Sequence, residues 1–162
     1  YMASDVTRIL PASGRFTKRQ REIYLAVLRV LDEVTLLMRP GITLPELNQE
    51  AGSLIDRELL RLKLITAHDL RRKDHAPPRR RDYFMHGVSH HLGYDVHDKY
   101  IRTAPLKSGM VLTCEPGLYI AEEGIGIRLE NDILITRGKP RILTQRIPIH
   151  PDEIEDLMHS KK

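Results

Sequence analysis

The chain has 162 residues and a formal net charge of +4; 41% of its residues are hydrophobic and 30% are charged, as in an ordinary soluble domain with one sizeable core. We expect neither a membrane helix, because no apolar run is long enough, nor a signal peptide. The single cysteine, Cys114, excludes an internal disulfide framework and indicates a reducing cytoplasmic location.

The first part of the chain predicts two amphipathic helices. Residues 17–20 have the pattern of a capping box, and apolar residues at helical spacing follow until residues 39–41, Arg-Pro-Gly, end the helix. A second helix begins at Thr43 and continues to about Leu62. Both helices should cover a sheet with apolar faces formed by Ile23, Val27, Val30, Leu31, Val34, Leu47, Ala51, Leu54 and Ile55.

Residues 71–82 form a strongly basic segment, with six arginines or lysines in twelve positions. Such a segment can bind nucleic acid by neutralising phosphates. No aromatic residues alternate with these arginines, as a platform for single strands would require. The sequence therefore favours a solvated connection, and we expect no nucleic-acid partner.

Histidines are concentrated in one short region. Residues 84–98 read Phe-Met-His-Gly-Val-Ser-His-His-Leu-Gly-Tyr-Asp-Val-His-Asp. An imidazole can bind a metal or carry a proton at physiological pH. This region fits either a histidine-rich surface loop or the wall of an active site. Four histidines lie in it and one lies just upstream: His86, His90, His91 and His97, and His75.

Two glutamates lie among residues that predict strands. Residues 110–113 form a short apolar run, and residues 125–135 alternate enough for one or two more strands. Glu115 and Glu130 lie at or inside these segments. A buried carboxylate is costly unless it is paired, hydrogen-bonded or bound to a metal. The glutamates and the histidines together therefore predict a metal site.

Four blocks of the sequence carry a resemblance to a known family. They are residues 1–16, 84–98, 113–119 and 126–132, which occur in the expected order and extend the match over essentially the whole chain. The sequence resembles the C-terminal part of the catalytic domain of the Xaa-Pro aminopeptidases, which are pita-bread metallopeptidases. This resemblance implies an α+β fold for residues 1–162, a partial pita-bread domain in which helices cover a curved antiparallel sheet.

The resemblance also implies the site residues. Asp5, His90, Glu115 and Glu130 would be metal ligands, and Asp5 and Glu130 would bridge a dinuclear centre. Three carboxylates and one imidazole favour manganese, magnesium, cobalt or iron over the thiolate-rich surroundings of structural zinc. The family expectation is two Mn²⁺ ions per intact site, with Co²⁺, Mg²⁺, Fe²⁺ or Zn²⁺ as alternatives.

Further active-site roles follow from the same resemblance. His86 and His97 match histidines that hold the substrate and stabilise the tetrahedral intermediate, and Arg128 matches an arginine that supports the carboxylates. We expect Glu115 to act also as the proton shuttle. Cys114 is expected to be a packed small hydrophobe beside it.

The resemblance predicts one missing ligand. The family has a further aspartate eleven residues before the position of Asp5, which lies ahead of Tyr1. We therefore expect the chain to be a fragment that lacks the N-terminal domain and the first catalytic strand. It would ligate one metal fully at best, which leaves the activity of the chain alone open.

The expected reaction is hydrolysis of the N-terminal Xaa-Pro bond of peptides by a metal-bound hydroxide. A prolidase-type dipeptidase is the alternative within the family, although Ser89 stands where prolidases tend to have glycine. A non-catalytic pita-bread binding module is the alternative of another class, and the four retained ligands argue against it. The expected partners are peptides with proline at the second position and further copies of the chain in a homodimer or homotetramer.

Overall fold

The computed structural model describes residues 1–71 and 78–160. The regular elements within them occur in the following order: α1 Lys18–Leu37, α2 Leu44–Arg61, α3 Ala67–Leu70, β1 Val111–Cys114, β2 Gly117–Ile120, β3 Ile125–Arg128, β4 Asn131–Leu134, β5 Arg141–Ile142 and α4 Pro151–His159. Short 3₁₀ turns occupy Arg79–Asp82 and Ala121–Glu123.

Helix α1 forms the centre of the packing and begins as predicted. The Thr17 side chain accepts a hydrogen bond from the Gln20 amide, and the Gln20 side chain accepts one from the Thr17 amide. The helix packs against α2 on one side and against β1, β2 and β3 on the other. The five core residues predicted for its apolar face are all buried.

Helix α2 covers α1 and contains a charge that the sequence analysis did not identify. Of its predicted apolar face, Leu54 is only half-buried, whereas Leu59 and Glu58 are buried instead. The Glu58 carboxylate lies 2.7 Å from the guanidinium of Arg29 on α1 and is also close to Arg57. A buried carboxylate needs such partners, so an ion pair ties the two helices together beside the apolar contacts.

We expect the Thr43→Ala variant to lower the free energy of unfolding by about 1 kcal/mol. Thr43 caps α2: its side chain accepts a hydrogen bond from the Glu46 amide, and the Glu46 carboxylate accepts one from the Thr43 amide at 2.8 Å. Alanine leaves a helix-end amide without this partner. Denaturant unfolding measures the change, and Thr43→Ser, which keeps the hydroxyl, should lose much less. Equal losses in both variants would contradict the capping role.

The strands form two small antiparallel sheets. One sheet has the order β1-β4-β5, and β2 pairs with β3 in the other. The chain between residues 125 and 135 forms two strands, because it leaves the ladder at Leu129 and Glu130 and passes from one sheet to the other. This break places Glu130 between the sheets.

Two further segments lie beside the strands but outside the regular ladders. Residues 88–92 run beside β1 through main-chain bonds from Leu92 to Val111 and from Thr113 to His90, and an isolated bridge joins His91 to Leu112. The N-terminal segment around Asp5 is likewise not a strand. Both segments are bonded to strands through only a few amides, which is too little for a regular ladder.

Cys114 is fully buried, as predicted, and burial raises the pKa of its thiol to about 12. Part of the basic segment, residues 72–77 with His75, lies outside the described residues. Of the rest, Arg80 pairs with the partly buried Asp56 at 2.8 Å and is therefore not simply solvated. Within the described ranges, no helix is long and apolar enough to cross a membrane.

Candidate metal centre

The main chain around Asp5 is held in place by contacts with Asp132 and Glu130. The Asp5 amide donates to the Asp132 carboxylate at 3.2 Å, and the Ser4 hydroxyl donates to the same carboxylate at 2.7 Å. Two residues further on, the Thr7 carbonyl accepts a hydrogen bond from the Glu130 amide. The N-terminal segment therefore lies directly beside β4, and Asp5 faces the same region as Glu130.

Strand β1 positions both His90 and Glu115. The Thr113 hydroxyl, which is fully buried, accepts a hydrogen bond from the His90 amide at 3.0 Å and lies 3.4 Å from the Glu115 carboxylate as a donor. The Glu115 amide donates to the Val88 carbonyl. One strand thus fixes the imidazole and the carboxylate relative to each other.

Three of the four predicted ligands form one cluster, and the fourth, Glu115, lies beside His90. Asp5, His90 and Glu130 each offer a ligand atom within 4.8 Å of the other two. His90 Nε2 is 3.5 Å from Asp5 Oδ2 and 3.4 Å from Glu115 Oε1. Residues separated by more than a hundred positions are therefore brought together in one oxygen-rich cluster.

The electrostatics of this cluster fit a bound cation. Glu130 is 1% exposed, and its Oε1 atom has no hydrogen-bond partner among the residues that the structure describes. Burial, which is the main cause, and the nearby charges of Glu115 and Asp5 raise its pKa to about 6 against the lowering effect of the Thr7 hydrogen bond. A divalent cation would satisfy the free oxygen and neutralise the carboxylates.

Thr7 connects two predicted site residues and was not predicted itself. Its hydroxyl donates to Glu130 Oε2 at 2.6 Å and accepts a hydrogen bond from the Arg128 guanidinium at 2.9 Å. Arg128 also lies 3.9 Å from the Glu130 carboxylate and 4.0 Å from that of Glu115. The arginine thus supports both carboxylates, partly through the threonine, which fixes the orientation of Glu130.

We expect Thr7→Val to weaken Mn²⁺ binding by about 10- to 100-fold, the usual cost of losing a hydrogen-bond partner of a metal ligand. Valine keeps the shape of threonine but neither donates to Glu130 nor accepts from Arg128. Titration calorimetry with Mn²⁺ measures the affinity. Thr7→Ser, which retains the hydroxyl, is the matched control and should bind nearly as tightly as the unchanged chain. Equal affinity of Thr7→Val and the unchanged chain would contradict this role.

The two other predicted histidines lie at the edge of the cluster. His97 is exposed, and its ring stacks on that of His90 with centroids 3.9 Å apart. His86 is half-buried against Phe84, and its Nε2 atom is 2.8 Å from the hydroxyl of Tyr119. Tyr119 was also missed in the sequence, although it stands in the same block as Glu115. The other ring nitrogen of His86, Nδ1, lies 2.8 Å from the Gly87 carbonyl, so contacts at both nitrogens orient the ring.

The fold and the donor set define an α+β protein with a carboxylate-rich candidate metal site. Residues 1–137 match metallopeptidase family M24, and the chain belongs to this family. It is 41% identical to an Xaa-Pro aminopeptidase of Escherichia coli K12, over 96% of this chain and 38% of that protein. It is 36% identical to human Xaa-Pro aminopeptidase 3, over 95% of this chain and 32% of that protein.

Solved structures show the same relationship. Zn-substituted E. coli aminopeptidase P in complex with product superposes with a TM-score of 0.87 and 40% identity, over 99% of this chain and 39% of that one. The E. coli enzyme with the inhibitor Pro-Leu gives a TM-score of 0.85 and 41% identity over 97% and 38%. The chain therefore has the pita-bread fold of these proteins, as predicted, and spans about two-fifths of their length.

Proposed function

We propose that this chain contributes the metal-binding part of an Xaa-Pro aminopeptidase active site, which releases the N-terminal residue of peptides with proline at the second position. The convergence of Asp5, His90 and Glu130, with Glu115 beside the same imidazole, carries the proposal. The names of the similar proteins support the substrate class. An Xaa-Pro bond has no amide N–H, so a specialised site is chemically reasonable.

Asp5, His90, Glu115 and Glu130 would hold the metal, which we propose to be Mn²⁺. A complete site would contain two ions shared by Asp5 and Glu130, with Co²⁺, Mg²⁺, Fe²⁺ or Zn²⁺ as alternatives. The bound ions would lower the pKa of a water molecule and polarise the substrate carbonyl. The buried Glu130 oxygen without a hydrogen bond is the feature of this chain that most favours a cation.

The chain's own residues supply the remaining chemistry. Glu115, beside His90 and Arg128, takes a proton from the attacking water and delivers it to the leaving nitrogen. His86 and His97 would donate hydrogen bonds to the substrate and to the negative charge of the tetrahedral intermediate. Arg128, 4.0 Å from the Glu115 carboxylate and 3.9 Å from that of Glu130, holds the two glutamates in orientation.

We further propose the context in which this site works. Residues 1–162 would form part of a catalytic domain whose missing segments supply one more aspartate ligand and an N-terminal domain. The enzyme would act in the cytoplasm as a homodimer or homotetramer. A prolidase-type dipeptidase is the nearest alternative, and the aminopeptidase is favoured by the curated relatives and by Ser89.

Hydrolysis of the tripeptide Arg-Pro-Pro and of the dipeptide Arg-Pro tests the proposal. Each peptide is incubated with the 162-residue chain and with the complete gene product that contains it, in Mn²⁺ or in a chelator. We expect the complete product to release arginine from the tripeptide only with metal, and the chain alone to be much slower. Cleavage of the dipeptide alone would establish a prolidase. A complete product that cleaves neither peptide at any metal concentration would support the binding module.

A further inference from the structure

The loop that follows His90 is closed by one side chain, that of Asp98. Its two carboxylate oxygens accept hydrogen bonds from main-chain amides, Oδ2 from Tyr94 at 3.0 Å and Oδ1 from Lys99 at 2.7 Å. The Asp98 amide donates to the His91 carbonyl at 3.1 Å. Both ends of residues 91–99 are therefore tied to the same residue.

Gly93 provides the space for this carboxylate. Gly93 is buried, and a Cβ atom placed on it would overlap Oδ2 of Asp98 and lie 2.7 Å from its Cγ. The backbone angles of Gly93 are not in the left-handed region, so glycine is required here by the close approach of the carboxylate rather than by the backbone conformation.

The same loop connects two parts of the candidate site. His97 precedes Asp98 directly and stacks on His90. At the other end of the loop, the Gly93 carbonyl accepts a hydrogen bond at 2.7 Å from the amide of Ala3, two residues before Asp5. A change in the shape of the loop near Asp98 would therefore displace His97, whereas the bond to Ala3 is made by the Gly93 main chain.

We propose that Asp98 is a positioning residue: its carboxylate, seated on Gly93, holds the loop in the shape that stacks His97 on His90. Its effect on turnover rests on the proposed function, whereas its effect on the position of His97 does not. Asp95, in the same loop, has an exposed side chain and makes no side-chain hydrogen bond with any residue the structure describes. It is therefore the matched control for removing one negative charge.

The first readout is the NMR signal of the His97 ring in the metal-free chain. Stacking on His90 shifts this signal upfield, and His97→Ala identifies it by its absence. We expect Asp98→Ala to move the signal to the position of an exposed histidine, Asp98→Asn to move it part of the way because one oxygen acceptor remains, and Asp95→Ala to leave it in place. An unchanged His97 signal in Asp98→Ala would overturn the proposal.

The second readout is a double-mutant cycle with Gly93→Ala. In the unchanged background, Gly93→Ala should displace the carboxylate and shift the His97 signal as Asp98→Ala does. In the Asp98→Ala background it should add little, because the two atoms closest to the new methyl group, Oδ2 and Cγ of Asp98, are gone and the Asp98 Cβ atom is 3.2 Å away. Equal shifts by Gly93→Ala in the two backgrounds would show that the two positions act independently, and would overturn the proposal.

The third readout is turnover of Arg-Pro-Pro by the complete gene product. We expect Asp98→Ala to lower kcat about 10- to 100-fold, as a misplaced catalytic group does, with a smaller change in KM and unchanged Mn²⁺ affinity. A loss of Mn²⁺ affinity as large as the loss of kcat would indicate a general structural role and would count against positioning of His97. A complete product with no activity in its unchanged form would contradict the proposed function, while the NMR readouts would still decide the role of Asp98.

Discussion

The Glu130→Gln variant is expected to be more stable than the unchanged chain when metal is absent at pH 7, and to gain nothing from Mn²⁺. Burial raises the pKa of Glu130 from 4.5 to about 6. The folded state therefore binds the proton on Glu130 more tightly than the unfolded chain does. The stability that this proton contributes is fully present below pH 4.5 and is lost as the pH rises through about 6. The loss amounts to about 2 kcal/mol at pH 7, and a glutamine, which cannot ionise, avoids it.

Metal reverses the order of the two proteins. A ligand that binds only the folded state stabilises it by about 2.7 kcal/mol when the free ligand concentration is 100 times the dissociation constant. The unchanged chain should gain this stability from Mn²⁺, whereas glutamine at position 130 removes a negative charge and a carboxylate oxygen from the cluster. Glu130→Gln should therefore raise the free energy of unfolding without metal and lower it with metal, relative to the unchanged chain. A packing defect would not change sign in this way.

Denaturant unfolding between pH 4.5 and 7.5, in Mn²⁺ or in a chelator, measures both effects. Glu122→Gln is the matched control, because Glu122 is exposed and distant from the cluster in the hairpin of β2 and β3. It should change neither the pH dependence nor the response to metal. A Glu130→Gln variant that gains as much from Mn²⁺ as the unchanged chain would contradict the assignment of Glu130 as a ligand.

The helices were the part of the fold that the sequence predicted best. The signals for α1 and α2 are local: a threonine cap, a glutamine or glutamate three residues later, and an apolar face at helical spacing. Helix α4 was missed, although His150 caps it and Pro151 opens it. It is only nine residues long, and Ile154 is its only buried apolar residue apart from Pro151, so the helical repeat recurs too few times to be recognised.

The arrangement of the strands could not be predicted from residue patterns. Residues 125–135 alternate enough for one or two strands, but the pattern does not show that the chain changes sheets at Leu129 and Glu130. Alternation reports which side chains share a face, but it does not report where a strand leaves one partner for another. The strands β2 and β5, which are four and two residues long, are also too short to give a pattern.

The candidate site was predicted unevenly, and the difference has a physical cause. Charged residues in otherwise apolar segments, such as Glu115 and Glu130, are visible in a sequence because burying them is costly. Thr7 and Asp98 carry no such signal. Thr7 bonds to a glutamate 123 positions away, and only the folded chain shows that contact. The residues that orient the ligands are therefore the ones that required the structure.

The second large effect is expected for His86→Ala, which should lower kcat about 10²- to 10³-fold, the usual cost of losing one donor to a developing negative charge. His86 is not part of the three-ligand cluster, so Mn²⁺ should bind and stabilise this variant as it does the unchanged protein. The variant thus separates catalysis from metal binding, which Glu130→Gln cannot do.

Tyr119→Phe tests how His86 acts. The Tyr119 hydroxyl lies 2.8 Å from Nε2 of His86, and phenylalanine leaves the imidazole in place without this orienting contact. Turnover of Arg-Pro-Pro by the complete gene product, with Mn²⁺ affinity measured in parallel, should show a smaller loss for Tyr119→Phe than for His86→Ala. If His86 served only as a partner for Tyr119, the two variants would lose activity equally. A fall in Mn²⁺ affinity in His86→Ala would instead place the histidine among the groups that hold the metal.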